Sequence, residues 1–239
     1  MATQPLPPLP SGPVPSIPDA ITRMQEIEAA LPPGDGLACF NRMYLIVTQT
    51  LKERVAQNFF QDPAFMEHLD IVFANLYLGA VDGFRSQPST ACRAWNVLFS
   101  RRSDPSVVPM QFALAGMNAH INRDLSLAVV TACRDLGTAP ENGSHEADFD
   151  KVNRLLAALD AQIRQSFESG LILELDQRAG AGLENLVGTF GIDAARETAW
   201  VNAQALWHLR GLSFVSQRYL DGLDRTAAFA GRTLLLPLI

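Results

Sequence analysis

The chain has 239 residues, of which 48% are apolar and 18% charged, enough to bury a sizeable core in one generous domain or two small ones. A formal net charge of -6, with no basic run longer than Arg101–Arg102, leaves no surplus to displace counterions from a phosphate backbone, so nucleic acid is excluded as the main partner. Cys39, Cys92 and Cys133 are dispersed and form no CxxC; this excludes a zinc knuckle or redox dithiol and points to small buried hydrophobes in a reducing cytoplasm.

The first 18 residues, MATQPLPPLPSGPVPSIP, lack the basic start and apolar stretch of a signal peptide. They read as a proline-rich arm, extended or disordered, ahead of a helical domain over 19–239. Such an arm drapes over its own body or over a second subunit, which would make a homo-oligomer. No window holds about 18 uninterrupted apolar residues, so no membrane span is expected.

Pro18 and Asp19 open a first helix over 19–31, which Pro32-Pro33-Gly34 ends. A second covers 36–57, with Phe40, Tyr44, Val47, Leu51 and Val55 on one face. Asp62-Pro63 pairs an N-cap oxygen with proline at the first helical position and opens a third helix to about 85. A fourth follows Pro88 to Arg101 and carries Trp95; a fifth spans 107–135, with Pro109 in its first turn. After the polar connection GTAPENGSH, a sixth helix runs from Asp148 to about 168. Beyond a glycine-rich break at 180–182, Asp193 caps a helix to 209, and a last one covers 215–232. Strand alternation and internal repeats are missing, so the expected fold is all-α, a single-domain bundle of about eight helices.

The fifth helix contains GMNAHINRDLSL, in which five hydrogen-bonding side chains interrupt otherwise apolar flanks. His120 and Asp124 lie four apart, so they share a helix face at a Cβ separation of about 6 Å. Asn118 and Asn122 form a second such pair. A carboxylate beside an imidazole fixes the tautomer of a general acid or base, or both groups ligate a divalent metal. The bland alternative is one local hydrogen bond, against which stands the cost of burying a charged pair on a central helix. On the third helix Asp70 shares a face with Phe73 and Tyr77, and Asn75 shares another with Asp82. A buried Asp70 among DIVFANLYL would have a raised pKa. His68, His145 and His208 read as surface or capping residues. GxGxxG, Walker, HExxH, GxSxG, paired Glu-x-x-His and DDxxD motifs are all absent.

The pieces LDIVFANLYL (69–78), AW (94–95), QFALAGMNAHINRDL (111–125), DFDKVNRLLAAL (148–159) and ARETAW (195–200) resemble the domain-of-unknown-function 5995 family, which is bacterial. The likeness covers most of 36–205, and HINxDL at 120–125 is its most specific part. It implies an all-helical fold and a shared polar set at Asp70, Asn75, Tyr77, Asn118, His120, Asn122, Asp124, Asp150, Asn153, Arg196 and Trp200. It implies no reaction. The arm and the tail beyond about Leu209 depart from the family's pattern. Asp150 also suits the dipole at a helix start, and Arg196, four before Trp200, can stack on it or neutralise Asp70 or Asp124.

Three functions are expected from these residues. The first is an enzyme of specialised metabolism, cofactor-free, that cyclises, isomerises, eliminates or hydrolyses an apolar oxygenated small molecule. In it His120, oriented by Asp124, and Asp70 transfer protons. Asn75, Tyr77, Asn118, Asn122, Asp150, Asn153, Arg196 and Trp200 hold the substrate. The second is a hydrolase or oxygenase with a divalent metal on His120, Asp124 and Asp70. The third is a non-catalytic binding protein whose polar cluster fixes helix register.

Overall fold

The computed structural model describes residues 5–88, 91–167 and 191–238, with side chains of 160–167 left aside. The glycine-rich break at 180–182 lies outside the described residues. The helices are α1 (Ile17–Ala30), α2 (Gly36–Ala56), α3 (Pro63–Ser86), α4 (Arg93–Arg101), α5 (Pro109–Ala119), α6 (Ser126–Asp135), α7 (His145–Phe167), α8 (Ile192–Leu209) and α9 (Ser213–Leu234). A π-helical turn, His120–Leu125, joins α5 to α6 as one continuous rod. The described residues thus form eight helical rods and no strand, the all-α bundle that the apolar spacing predicts.

Local chemistry sets most helix starts. Ser16 Oγ accepts from the Asp19 amide at 3.2 Å, so α1 begins two residues before Asp19. Asp35 accepts from Leu37 N and Asp62 from Phe65 N, each at 2.9 Å, and Pro63 follows Asp62 as expected. Two starts differ from the sequence reading. Asp148 does not open α7: its carboxylate is fully buried and accepts from the amides of Gln61 at 2.9 Å and Asp62 at 2.7 Å, which ties the loop before α3 to α7. Cys92 sits at the N-cap of α4, not inside a helix. Asp224 of α9 caps that end from outside, accepting from Arg93 N at 3.1 Å and Ala94 N at 3.0 Å.

The core forms two clusters. One gathers Phe40, Tyr77, Trp95 and Phe112 around α2, α3, α4 and α5; the other gathers Phe65, Phe149, Val129 and Trp200 around α3, α6, α7 and α8. Phe73 packs against both, and the π turn lies at their seam. Buried Gln111 fixes the register of α5 against α9 by donating to the carbonyls of Leu234 and Leu236, both at 2.7 Å.

Residues 5–16 carry no regular secondary structure and run along α3 of the same chain. Val14 N donates to Asn75 Oδ1 at 2.7 Å, and Asn75 Nδ2 returns a bond to Val14 O at 2.9 Å. Gly12, at φ +97°, donates to Asp82 Oδ2 at 3.0 Å. Among the described residues α3 alone is long and apolar enough to cross a membrane, judged by length and composition. Here it packs between the residues 5–16 and the central rod.

Candidate functional site

The π turn answers why GMNAHINRDLSL is so polar. A turn of i→i+5 bonds adds a residue to the helical circuit and offsets the register on either side; such turns recur at functional sites. Before it, Asn118 Nδ2 reaches the carbonyl of Ala227 on α9 at 2.7 Å, with Asn122 Nδ2 donating to Asn118 Oδ1 at 3.0 Å. Within it, Asp124 turns towards α4 and accepts from Trp95 Nε1 at 2.7 Å. Arg123 pairs with Asp124 and reaches Asp224 Oδ1 at 3.4 Å.

His120 is held from three sides. Its ring stacks on Phe73, with centroids 3.5 Å apart and an interplanar angle of 3°. Tyr44 meets it edge-on at 4.6 Å. Its Nδ1 lies 3.3 Å from Asp124 Oδ2. A proton on Nδ1 suits that carboxylate and leaves Nε2 with its lone pair. Nε2 is buried and has no hydrogen-bond partner among the described residues. Burial holds the imidazole pKa below its ordinary value, against the opposing pull of Asp124, so the ring is neutral at neutral pH.

Asp70 and His120 line the same cavity, of about 180 Å³, walled by α2, α3, the rod, α7 and α8. Asp70 is 7% exposed, its Oδ2 has no hydrogen-bond partner among the described residues, and burial alone raises its pKa to about 7. Such a carboxyl is half protonated near neutrality. Among the described residues the walls are otherwise apolar apart from Tyr44 and Arg196, and four of the six methionines in the chain contribute to them.

Apart from Arg196, the other polar residues proposed from the sequence fall outside the cavity wall, and most of them hold structure instead. Asp124, wholly buried, positions His120 and Trp95. Asn75 tethers Val14. Tyr77 donates to Asn41 Oδ1 at 3.0 Å within the core, and Asn118 and Asn122 bind α9 and each other. Asp150 is exposed. Asn153 accepts from Arg196 Nε at 2.5 Å. Arg196 does line the cavity, but it pairs with neither Asp70 nor Asp124; its guanidinium lies 4.2 Å over Phe149, whose other neighbour is Trp200 at 4.7 Å. Of the remaining histidines, His145 departs from the surface reading: it is buried and stacked on Phe65 at 3.8 Å.

The sequence reading missed Tyr44, Phe73 and Trp95 as neighbours of His120, and Arg123 as the counter-charge that Asp124 shares with Asp224. Phe73 was legible as the residue sharing a face with Asp70. Asp224 gave no signal, because its partners lie about 130 residues away in the chain.

A divalent metal on His120, Asp124 and Asp70 does not fit this arrangement. Asp124 spends its oxygens on Trp95, His120 and Arg123, which leaves two donors, and among the described residues no three His, Cys, Asp or Glu side chains converge. Two protein ligands fall short of the three that catalytic zinc sites use.

A sequence model of the family of unknown function DUF5995 matches residues 17–237. The chain belongs to this family. The match takes in α1 and all of α8 and α9, so the tail beyond Leu209 is part of the family's pattern and not a departure from it. No curated protein and no solved structure matches the chain.

Proposed function

We propose that the protein is an enzyme that moves protons on a small apolar oxygenated compound, with His120 as base and Asp70 as acid. One observation carries this reading: two nearly fully buried ionisable side chains, each with a polar atom that has no partner among the described residues, line one apolar cavity. More than about 90% of buried polar groups in proteins are partnered. Each orphan costs about 1–3 kcal/mol, and a network serving helix register alone would gain nothing from them. Register is already served by Gln111, Asn118 and Asn122.

The chemistry follows from the two resting states. His120 Nε2 takes a proton from the substrate while the Asp70 carboxyl gives one to a substrate oxygen. The site is then an imidazolium and a carboxylate. Returning the proton from His120 to a different substrate atom, with Asp70 recovering its own, completes an isomerisation or cyclisation. If the protonated oxygen leaves as water instead, the outcome is an elimination. An acid whose pKa lies near the working pH favours such transfers, and the apolar walls limit stray exchange with water.

The test is deuterium wash-in. The protein is incubated in D2O with panels of small apolar ketones, alcohols and acids, and products are read by mass spectrometry. Wild type should exchange carbon-bound hydrogen in some member of the panel. Folded His120→Gln and Asp70→Asn should lose roughly 10²–10⁴-fold of that rate. Full exchange in either folded variant would remove the proposal.

A further inference from the structure

Among the described residues Arg196 is the one cation of the cavity wall, and the function proposed above does not use it. It is 5% exposed, and among the described residues it makes no ion pair with a carboxylate. Its contacts are Asn153 Oδ1 at Nε, the carbonyl of Phe149 at Nη2 (3.0 Å) and the Phe149 ring beneath. These contacts use two of the five N–H donors of a guanidinium and hold its plane, leaving Nη1 without a partner among the described residues. The charges that act on it, Asp150 and Asp193, stand outside the cavity wall, and Asp150 is exposed. With no carboxylate in contact among the described residues, a buried and oriented cation on an apolar wall suits an anion brought by the ligand.

Size and texture narrow that ligand. A cavity of 150 Å³ takes benzene, so one of about 180 Å³ takes a body only slightly larger. Met43, Met66, Met110 and Met117 make the wall deformable, which suits a flexible or irregular apolar body more than a rigid one.

We infer that the cavity recognises a small amphipathic carboxylate of about ten non-hydrogen atoms, its charged end on Arg196 and its apolar body against the methionines. The inference rests on reading the cavity as a substrate site, and it adds what holds the substrate: Arg196 binds, while His120 and Asp70 react.

Calorimetric titration of the full chain with octanoate and with 1-octanol at pH 6.5 tests it. Octanoate should bind at least about tenfold more tightly, the worth of a charge-assisted hydrogen-bond pair. Arg196→Gln should remove that preference and leave 1-octanol within about twofold. Equal binding of the two, binding of neither, or a preference that survives in Arg196→Gln overturns the inference. The wild-type comparison stands alone if the variant does not fold. Deuterium wash-in reads His120 and Asp70, whereas these titrations read Arg196. Wash-in without octanoate preference therefore overturns anion recognition alone, and the converse overturns proton transfer alone.

Discussion

The rings of His120 and Phe73 lie 3.5 Å apart and within 3° of parallel, and His120 Nδ1 faces Asp124. Stack and hydrogen bond constrain different motions: the first fixes the ring plane, the second its rotation within that plane. The same packing strips water from the imidazole, which is why its pKa lies below the ordinary histidine value. Replacing Phe73 by alanine opens one face to water. The His120 pKa should then rise towards about 6.5, as read by NMR titration of its ring protons. A variant that titrates no higher than wild type would show that Phe73 is not what dries the ring.

Asp124 joins three partners at the site. Its carboxylate is wholly buried and accepts from Trp95 and His120 while paired with Arg123. Removing one member of a buried charged pair strands the other, at a cost of about 3–5 kcal/mol. Arg123 is one-quarter exposed and keeps Asp224 at 3.4 Å, so Asp124→Ala should fall at the lower end, about 3 kcal/mol in urea unfolding. A loss below about 1 kcal/mol would demote the cluster to a surface-like pair.

Stability against pH should separate Asp70 from His120, because their signs are opposed. Asp70 has its pKa raised in the fold to about 7, so the fold holds that proton more tightly than the unfolded chain does. Its contribution therefore falls as pH rises through the window from about 4 to about 7. His120 is lowered in the fold, so its contribution is present above about 6.5 and is lost as pH drops. Asp70→Asn removes the first effect alone. The stability of Asp70→Asn relative to wild type should climb by about 3 kcal/mol between pH 5 and pH 8, followed as urea midpoints. A difference independent of pH would mean that Asp70 titrates as an ordinary carboxylate.

How far the sequence carried these conclusions depended on the range of each interaction. Helices α1 to α9 were legible because caps such as Asp62 and apolar spacings such as Phe40–Tyr44–Val47 act within one or two turns. His120 and Asp124 were legible as a pair because four-residue spacing is local. The meeting of His120 with Asp70 in one cavity was expected only from similar surroundings, since nothing local encodes which helices pack together. The π turn escaped because a single inserted residue leaves the apolar period nearly unchanged. Asp224 capping α4, and Asn75 holding Val14 where it was expected to hold substrate, escaped because a polar side chain does not announce a distant backbone partner.

Two glycines should respond to alanine with opposite signs. Gly116 faces Phe40, and an added Cβ would lie inside the van der Waals envelope of that ring's inner atoms, which cannot swing away. Phe40 in turn meets His120 edge-on at 5.7 Å and Trp95 at 5.1 Å, so any shift reaches the site. Gly116→Ala should therefore cost about 1–3 kcal/mol by overpacking, beyond what helix propensity returns. Gly79 stands exposed on α3 with nothing within 4 Å of an added Cβ. There only propensity acts, so Gly79→Ala should stabilise by about 0.8–1 kcal/mol. Thermal unfolding of the pair checks both signs. If Gly116→Ala were as stabilising as Gly79→Ala, the close approach of α2 to the central rod would be wrong, and with it the aromatic wall that holds His120.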